Sequence, residues 1–477
     1  MLLLYILLAN GGCNNLPEIQ PKELHLQLPQ TWSVSVNSDQ FADQSWVSSF
    51  DDPVLTKLVR QALADNFDLK SAAARIEAAI AQVRIDSSGL WPQLSFAPGY
   101  QHSQVRNAGF GSAQFSVFEA LFNLRWEIDV WGRIRDFRQA AIEETEAARF
   151  DYQAAQLSLA ARIAQNYFAL QEAILQTHVA MQSVSDRSNI ADLVQGRFDL
   201  GLARGLDVRL ALTDLTNARS QLAQAENRVQ LVARQLEILL GRYPDGSLSD
   251  IFKASAQPQT KAVAAVAAAA LPAATDSYVL PEPPQALAAG LPSELLTRRP
   301  DLIAAFTRLR AADSRLQSTQ KLLLPRITLT ATGGTRDSAL TDLIDPRAVA
   351  WNVIAGMAQP LFTGGRIRGN IHLSAARVEE ALNRYQSVAL NAFREVEQAL
   401  AAEEWLREQE QVLREAVKQT EASRELALYS YRHGFIQILT LLDSYRSTFN
   451  AQSAHLAVKQ QLLSNRINLY LAMGGSV

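Results

Sequence analysis

Apolar and polar residues alternate with a period of two in several stretches of the chain. Leu124, Trp126, Ile128 and Val130 take one parity, and Asn123, Arg125, Glu127 and Asp129 take the other. Eight residues of strict alternation predict a half-buried strand. Upstream, Leu94, Phe96 and Tyr100 share one face, with Gln93, Ser95 and Gly99 opposite. Strands are therefore predicted over about 93–106 and 113–131. Farther along, Ile327, Leu329 and Ala331 alternate with Arg326, Thr328, Thr330 and Thr332. Elsewhere the spacing is helical. An Ala-rich helix is predicted over about 53–88, ending before Pro92, which pushes its predecessor towards extended backbone. Between Arg133 and about Arg197 the only Gly or Pro is Gly196, and between Arg366 and about Arg432 the only one is Gly369. Such a helix would be ~95 Å long, which implies a coiled-coil-like assembly. Gly201–Gly205 and Gly434 turn the chain back into helices that end at Gly241 and Gly474, both placed as C-caps.

The chain repeats itself. A shift of 233 positions lays Asp68-Leu69 on Asp301-Leu302, Arg75 on Arg308, Pro92 on Pro325, Gly132-Arg133 on Gly365-Arg366, Gly201 on Gly434 and Gly241 on Gly474. Two copies of one unit, helix, two strands, two helices, follow at 66–241 and 299–474. Residues 13–65 form an N-terminal segment that includes the start of the first helix. Residues 242–298 form a linker or insert. Its biased part, about 242–291, has nine alanines within 261–274, then Pro281-Glu282-Pro283-Pro284. It is read as a mobile linker or a peripheral insertion.

Composition narrows the function. The 477 residues are 48% hydrophobic and 19% charged, ample for a packed core, and the net charge of −3 argues against a nucleic-acid binder. The single cysteine removes any internal disulfide and any multi-Cys metal site. Leu2–Ala9 is an apolar run too short to span a bilayer as a helix, and it fits the core of a secretory signal over 1–12. Asn10, Gly11 and Gly12 precede Cys13 and resemble a bacterial lipoprotein cleavage site, which makes Cys13 the expected acylated N-terminus. The six histidines (His25, His102, His178, His372, His433, His455) form no metal-spaced pair, so no metal and no cofactor are expected. No nucleophile or phosphate-binding motif is present, and acidic pairs such as Glu143-Glu144, Glu379-Glu380 and Glu403-Glu404 fall in helices as solvated charges. An enzyme is not expected.

Four long strands per chain are too few to close a barrel, yet each is long enough to cross a bilayer. A spanning sheet must be closed, so such strands close only by oligomerising; three copies give 12 strands. The alternative is a half-buried sheet in a soluble α+β protein, which leaves the long helices with nothing obvious to pack on.

The segment Trp126-Glu127-Ile128-Asp129-Val130-Trp131-Gly132-Arg133 resembles the strand-to-helix signature of the outer-membrane efflux factor family, the TolC/OprM-like channel-tunnels. So does its counterpart Gln359-Pro360-Leu361-Phe362-Thr363-Gly364-Gly365-Arg366. Leu441-Leu442-Asp443-Ser444-Tyr445-Arg446, whose aspartate stands nine residues after Gly434, also resembles the family, and the ending Leu469-Tyr470-Leu471-Ala472-Met473-Gly474-Gly475 is similar to its lipoprotein branch. The resemblance covers about 45–477. It implies an α+β membrane protein: a homotrimer with a 12-stranded β-barrel in outer-membrane lipid, continued by a long α-helical barrel in the periplasm. Residues 242–298, with parts of both terminal segments, would form an equatorial belt. The partners it implies are a periplasmic adaptor (membrane fusion) protein and an inner-membrane RND pump. The function implied is the passive exit duct of a tripartite efflux system. An exit duct for type I protein secretion and a poreless periplasmic coiled-coil scaffold are the competing readings.

A duct needs a lining and a gate. By the resemblance, Asp207 and Tyr431 make a closing contact between neighbouring helix pairs, and Asp443 forms a three-fold acidic ring with Arg446 nearby. Three carboxylates around a narrow axis repel each other and attract cations. Thr440 stands where a second acidic ring can occur, so one ring is expected. The turn residues Gly201, Leu202, Ala203, Arg204, Gly205, Gly434 and Phe435 are the expected adaptor contacts. Trp126 and Trp131 are either membrane-interface anchors or packing at the barrel–tunnel junction.

Overall fold

The computed structural model describes residues 32–33, 46–107, 111–249, 280–284 and 292–475. The apolar leader, Cys13 and the alanine-rich run of the insert lie outside the described residues. In chain order the elements are α1 (Pro53–Asp65), α2 (Phe67–Ser87), β1 (Gln93–Asn107), β2 (Gly111–Ile128), α3 (Arg133–Asp199), α4 (Gly205–Leu239), α5 (Leu295–Arg298), α6 (Pro300–Gln320), β3 (Arg326–Asp337), β4 (Val349–Ala358), α7 (Arg366–Arg432) and α8 (Ile438–Ala472). α3 and α7 have 67 residues each, and α4 and α8 have 35 each. α6, α7 and α8 each begin 233 positions after α2, α3 and α4.

The helix expected over 53–88 is two helices. Asn66 takes extended backbone, with ψ of 128°, and its N–H still bonds Ala62 O. Its side-chain oxygen accepts from Leu69 N at 3.0 Å and so caps α2, while its amide donates to Leu239 O at 2.9 Å. The strand expected to run to 131 stops at Ile128. The carboxylate of Asp129 turns back to accept from Ile134 N at 3.1 Å and Arg135 N at 2.9 Å, capping α3 where a strand would otherwise continue.

The described residues divide into two compact units, one within 74–150 and 301–388, the other within 32–73, 151–300 and 389–475. The first holds the sheet, an antiparallel meander in the order β1-β2-β3-β4. Its register aligns Leu94 with Leu124, Ala331 and Val353, and Phe96 with Phe122, Gly333 and Trp351. One face is therefore apolar, with Phe96–Phe122 and Tyr100–Phe118 rings 4.9 and 4.6 Å apart. The other carries Gln93, Ser95, Asn123, Arg125, Glu127, Thr328, Thr330 and Thr332. The large apolar residues are open to the surroundings: Trp351 is 76% exposed and Phe96 56%. A Cβ on Gly334 would stand 2.1 Å from Ala120 O, so glycine is what lets β2 and β3 approach there. The indole N–H groups of Trp126 and Trp131 donate to Leu90 O (3.0 Å) and Pro325 O (2.7 Å), which ties both rings to backbone in this unit.

The second unit is helical. Trp46 stacks on Tyr470 (5.7 Å) and Phe50 tilts on Phe168 (5.4 Å), within a core that includes Leu55, Ile163, Leu236, Leu463 and Ile467. The described ends of the insert are docked. Buried Glu237 accepts from Gly246 N at 2.8 Å and Leu248 N at 3.0 Å, and Leu280 enters the core. Among the described residues no helix is long and apolar enough to cross a membrane.

Candidate functional site: the helix turns of the second unit

Four helix ends close in the same way. Gly201, Gly241, Gly434 and Gly474 have φ between +72° and +80°. Each glycine N–H bonds back three residues and the following N–H bonds back five, as in Gly201→Phe198 and Leu202→Arg197, or Gly434→Tyr431 and Phe435→Ser430. These are Schellman ends, which glycine enters without a Cβ penalty. Gly201 and Gly434 join α3 to α4 and α7 to α8. The turns present Leu200, Leu202, Leu206 and Phe435 to the surroundings. Ala203 is half-buried between exposed Leu202 and Arg204, and Gly205 starts α4.

Asp207 lies near enough to Tyr431 for its charge to act on the phenol, without a hydrogen bond between them. The Asp207 carboxylate accepts from Arg204 N at 3.0 Å and so fastens the first turn of α4. Tyr431 is 5% exposed and packs in a cluster with Val194, Ala211, Leu215, Ile438 and Leu441. The Arg197 guanidinium lies over its ring at 5.2 Å and donates to Tyr431 O at 3.3 Å and Arg432 O at 3.2 Å. Burial raises the Tyr431 phenol above its ordinary value; the Asp207 charge adds to this and Arg197 opposes it. Arg197 is the member of this group that sequence reasoning missed. Its cue was a lone basic residue in the last turn of a helix, where cations meet free carbonyls.

Asp443 and Arg446 do not come together as a pair. Asp443 is exposed, directly after the buried Leu441 and Leu442. Arg446 instead reaches Asp214, with Nη2 3.5 Å from Oδ1. Asp214 also faces Arg187, whose Nε is 2.7 Å from Oδ2, with both side chains at most 6% exposed. A further tie runs from Arg424 to Asp186 at 3.3 Å. The cue for Asp214 lay in the pattern: it falls among Ala211, Leu215 and Ala218, the buried stripe of α4. Among the described residues no group of His, Cys, Asp and Glu is placed to hold a metal ion. What the arrangement can do is fix two helix turns against each other while leaving a carboxylate free.

The profile of a family described as outer membrane efflux protein matches residues 58–242 and 291–475. The toluene efflux pump outer membrane protein TtgF of Pseudomonas putida is 30% identical over 98% of this chain and 95% of its own. The outer membrane protein OprJ of Pseudomonas aeruginosa is 30% identical over 99% and 95%. Among solved structures, the outer-membrane channel OprN superposes with a TM-score of 0.83 at 24% identity, covering 96% of this chain and 98% of that one.

Proposed function

Because the chain belongs to the outer membrane efflux protein family, we propose that it is the exit duct of a tripartite, RND-type efflux system, conducting small molecules passively to the cell exterior. The observation that carries this reading is the sheet: one exposed apolar face, one polar face, and two outer strands, β1 and β4, whose free edges have no partner strand among the described residues. In hydrocarbon such edges cost several kcal/mol per unpaired group, so the sheet is usable only when closed. Three copies, β4 of one beside β1 of the next, make a 12-stranded barrel with the apolar face on outer-membrane lipid and the polar face on water. α3, α4, α7 and α8 of each copy continue it as a helical barrel into the periplasm, and the insert with the terminal segments girdles that barrel. The two repeats, 66–241 and 299–474, supply equivalent sixths of this ring, and the protein works as a conduit, not an enzyme.

The turn residues Gly201–Gly205 and Gly434-Phe435 offer the apolar tips that a periplasmic adaptor protein would engage, and the adaptor in turn links an inner-membrane pump. Asp207 and Tyr431, with Arg197, hold the tips closed, and Asp443 of three copies forms one acidic constriction. Acylation of Cys13 would tether each copy to the membrane. The test is planar-bilayer conductance of the detergent-purified protein beside an Asp207→Ala, Tyr431→Ala variant. A small cation-selective current that rises several-fold in the variant supports the gated duct. A protein soluble without detergent, with no current from either, overturns it.

A further inference from the structure

Asp214 is a buried carboxylate shared by two arginines from two different helices. Arg187 of α3 approaches one oxygen at 2.7 Å and is itself 3% exposed; Arg446 of α8 approaches the other at 3.5 Å and is 54% exposed. The two contacts differ in kind. Arg187 is further held by Ser183 Oγ at 2.7 Å, and its guanidinium lies 5.8 Å from the Phe449 ring. It is walled in, and a dry charge pair of this sort cannot lose one member without leaving the other uncompensated. Yet Arg187 Nε and Asp214 Oδ2 complete no well-directed hydrogen bond despite their closeness. Arg446 is in the opposite position: exposed, at the limit of contact, and free to exchange Asp214 for water at little cost.

The equivalent place in the second helix pair has no such hub; the ionic ties between α7 and α8, His455–Glu410 at 2.8 Å and Arg466–Glu403 at 2.6 Å, lie farther from the Gly434 turn. The positions 233 after Arg187 and Asp214 are Thr420 and Ser447. There α7 and α8 meet through the Thr448 hydroxyl, which donates to Thr420 O at 3.0 Å. At this level of the helices the ionic lock therefore belongs to α3 and α4, and Arg446 is the strut from α8 that leans on it.

Resting on the exit-duct reading, we propose that Asp214 is the pivot of a second latch farther along the helices than the Asp207–Tyr431 contact. Arg187 keeps the carboxylate fixed to the first helix pair, and Arg446 holds the second pair against it in the closed duct. Opening releases Arg446 and leaves Arg187–Asp214 intact. Arg446 and Asp214 are positioning residues for the gate; neither needs to touch cargo.

Single-channel recording of the full-length trimer in planar bilayers tests this with Arg446→Gln, Arg446→Lys and Asp214→Asn. The two neutralisations change the lining charge in opposite senses, so a simple charge effect would move ion selectivity in opposite directions. Release of a latch moves both the same way: open probability should rise roughly fivefold in Arg446→Gln and in Asp214→Asn. Arg446→Lys, which keeps a cation within reach, should stay near wild type. If Asp214→Asn does not assemble, the exposed-site pair decides: an increase in Gln absent from Lys supports the latch, and equal behaviour of the two overturns it. An Arg446→Gln channel with wild-type gating, or opposite selectivity shifts without a gating change, also overturns it. No current from the wild type or from the Asp207→Ala, Tyr431→Ala variant would instead remove the duct reading itself.

Discussion

Asn66 closes α1 with its backbone N–H and opens α2 with its side-chain oxygen, and its side-chain amide reaches Leu239 at the end of α4. Truncation to alanine removes a cap and leaves Leu239 O without this donor, so Asn66→Ala should cost about 1–2 kcal/mol. Thermal melting of the detergent-solubilised protein checks it, with a lowered midpoint expected. The break at Asn66 was legible in principle: its partner 233 positions on is Arg299, followed by Pro300, and proline favours the first position of a helix. Read in one copy alone, the alanine-rich run across Asp65 and Asn66 looks continuous. Glu410 makes a different prediction. Burial works to raise its pKa, but hydrogen bonds from His455 at 2.8 Å and Arg414 outweigh burial and hold it below the ordinary 4.5. A depressed carboxylate stabilises the fold above its unfolded pKa and loses that contribution as pH falls through the lower native value. Stability should therefore decline below about pH 4.5, and Glu410→Gln should flatten that acid limb while lowering the midpoint at pH 7; melts at both pH values measure it.

At the scale of elements, the long helices were the most legible part. Sixty-odd residues without proline or a second glycine can hardly be anything else, and α7 runs from Arg366 to Arg432 as the pattern predicts. The strands were legible by parity, because a slip of one residue would exchange the faces. Their ends were not, since Asp129 leaves the alternation unbroken in sequence while its carboxylate serves α3. The two adjacent glycines of β3 make a sharp comparison. A Cβ at Gly333 meets nothing nearer than Trp351 Cβ at 3.9 Å, whereas one at Gly334 meets the Ala120 carbonyl at 2.1 Å. Gly333→Ala should fold and assemble as the parent does. Gly334→Ala should force β2 and β3 apart and sharply lower the yield of folded, membrane-inserted protein. Comparable yields on semi-native gels would show that the sheet relaxes around the added methyl.

For the whole molecule, periodicity alone could say that four strands with one apolar face need closure, but not how many copies provide it. The ion pairs that cross between helix pairs were invisible as well, because a charge at a given helical position carries no information about a partner as remote in sequence as Asp214 is from Arg446 or Asp186 from Arg424. Asp214 betrays itself only by lying on a buried stripe. The proposed closure makes a prediction that the two faces of the sheet answer separately. Val353 lies on the apolar face beside Ala331, and Thr330 lies on the polar face beside Ile354. If the apolar face meets lipid, an arginine at Val353 costs ~2–4 kcal/mol per copy near the bilayer midplane, incurred in every subunit of a ring. Val353→Arg should abolish the heat-sensitive oligomer band and deplete the outer-membrane fraction. Thr330→Arg places the same charge in water, so assembly should persist while the conductance shifts towards anions. If Val353→Arg assembled as well as Thr330→Arg, the apolar face would have to be covered by protein, and a barrel closed by three copies in lipid would no longer account for it.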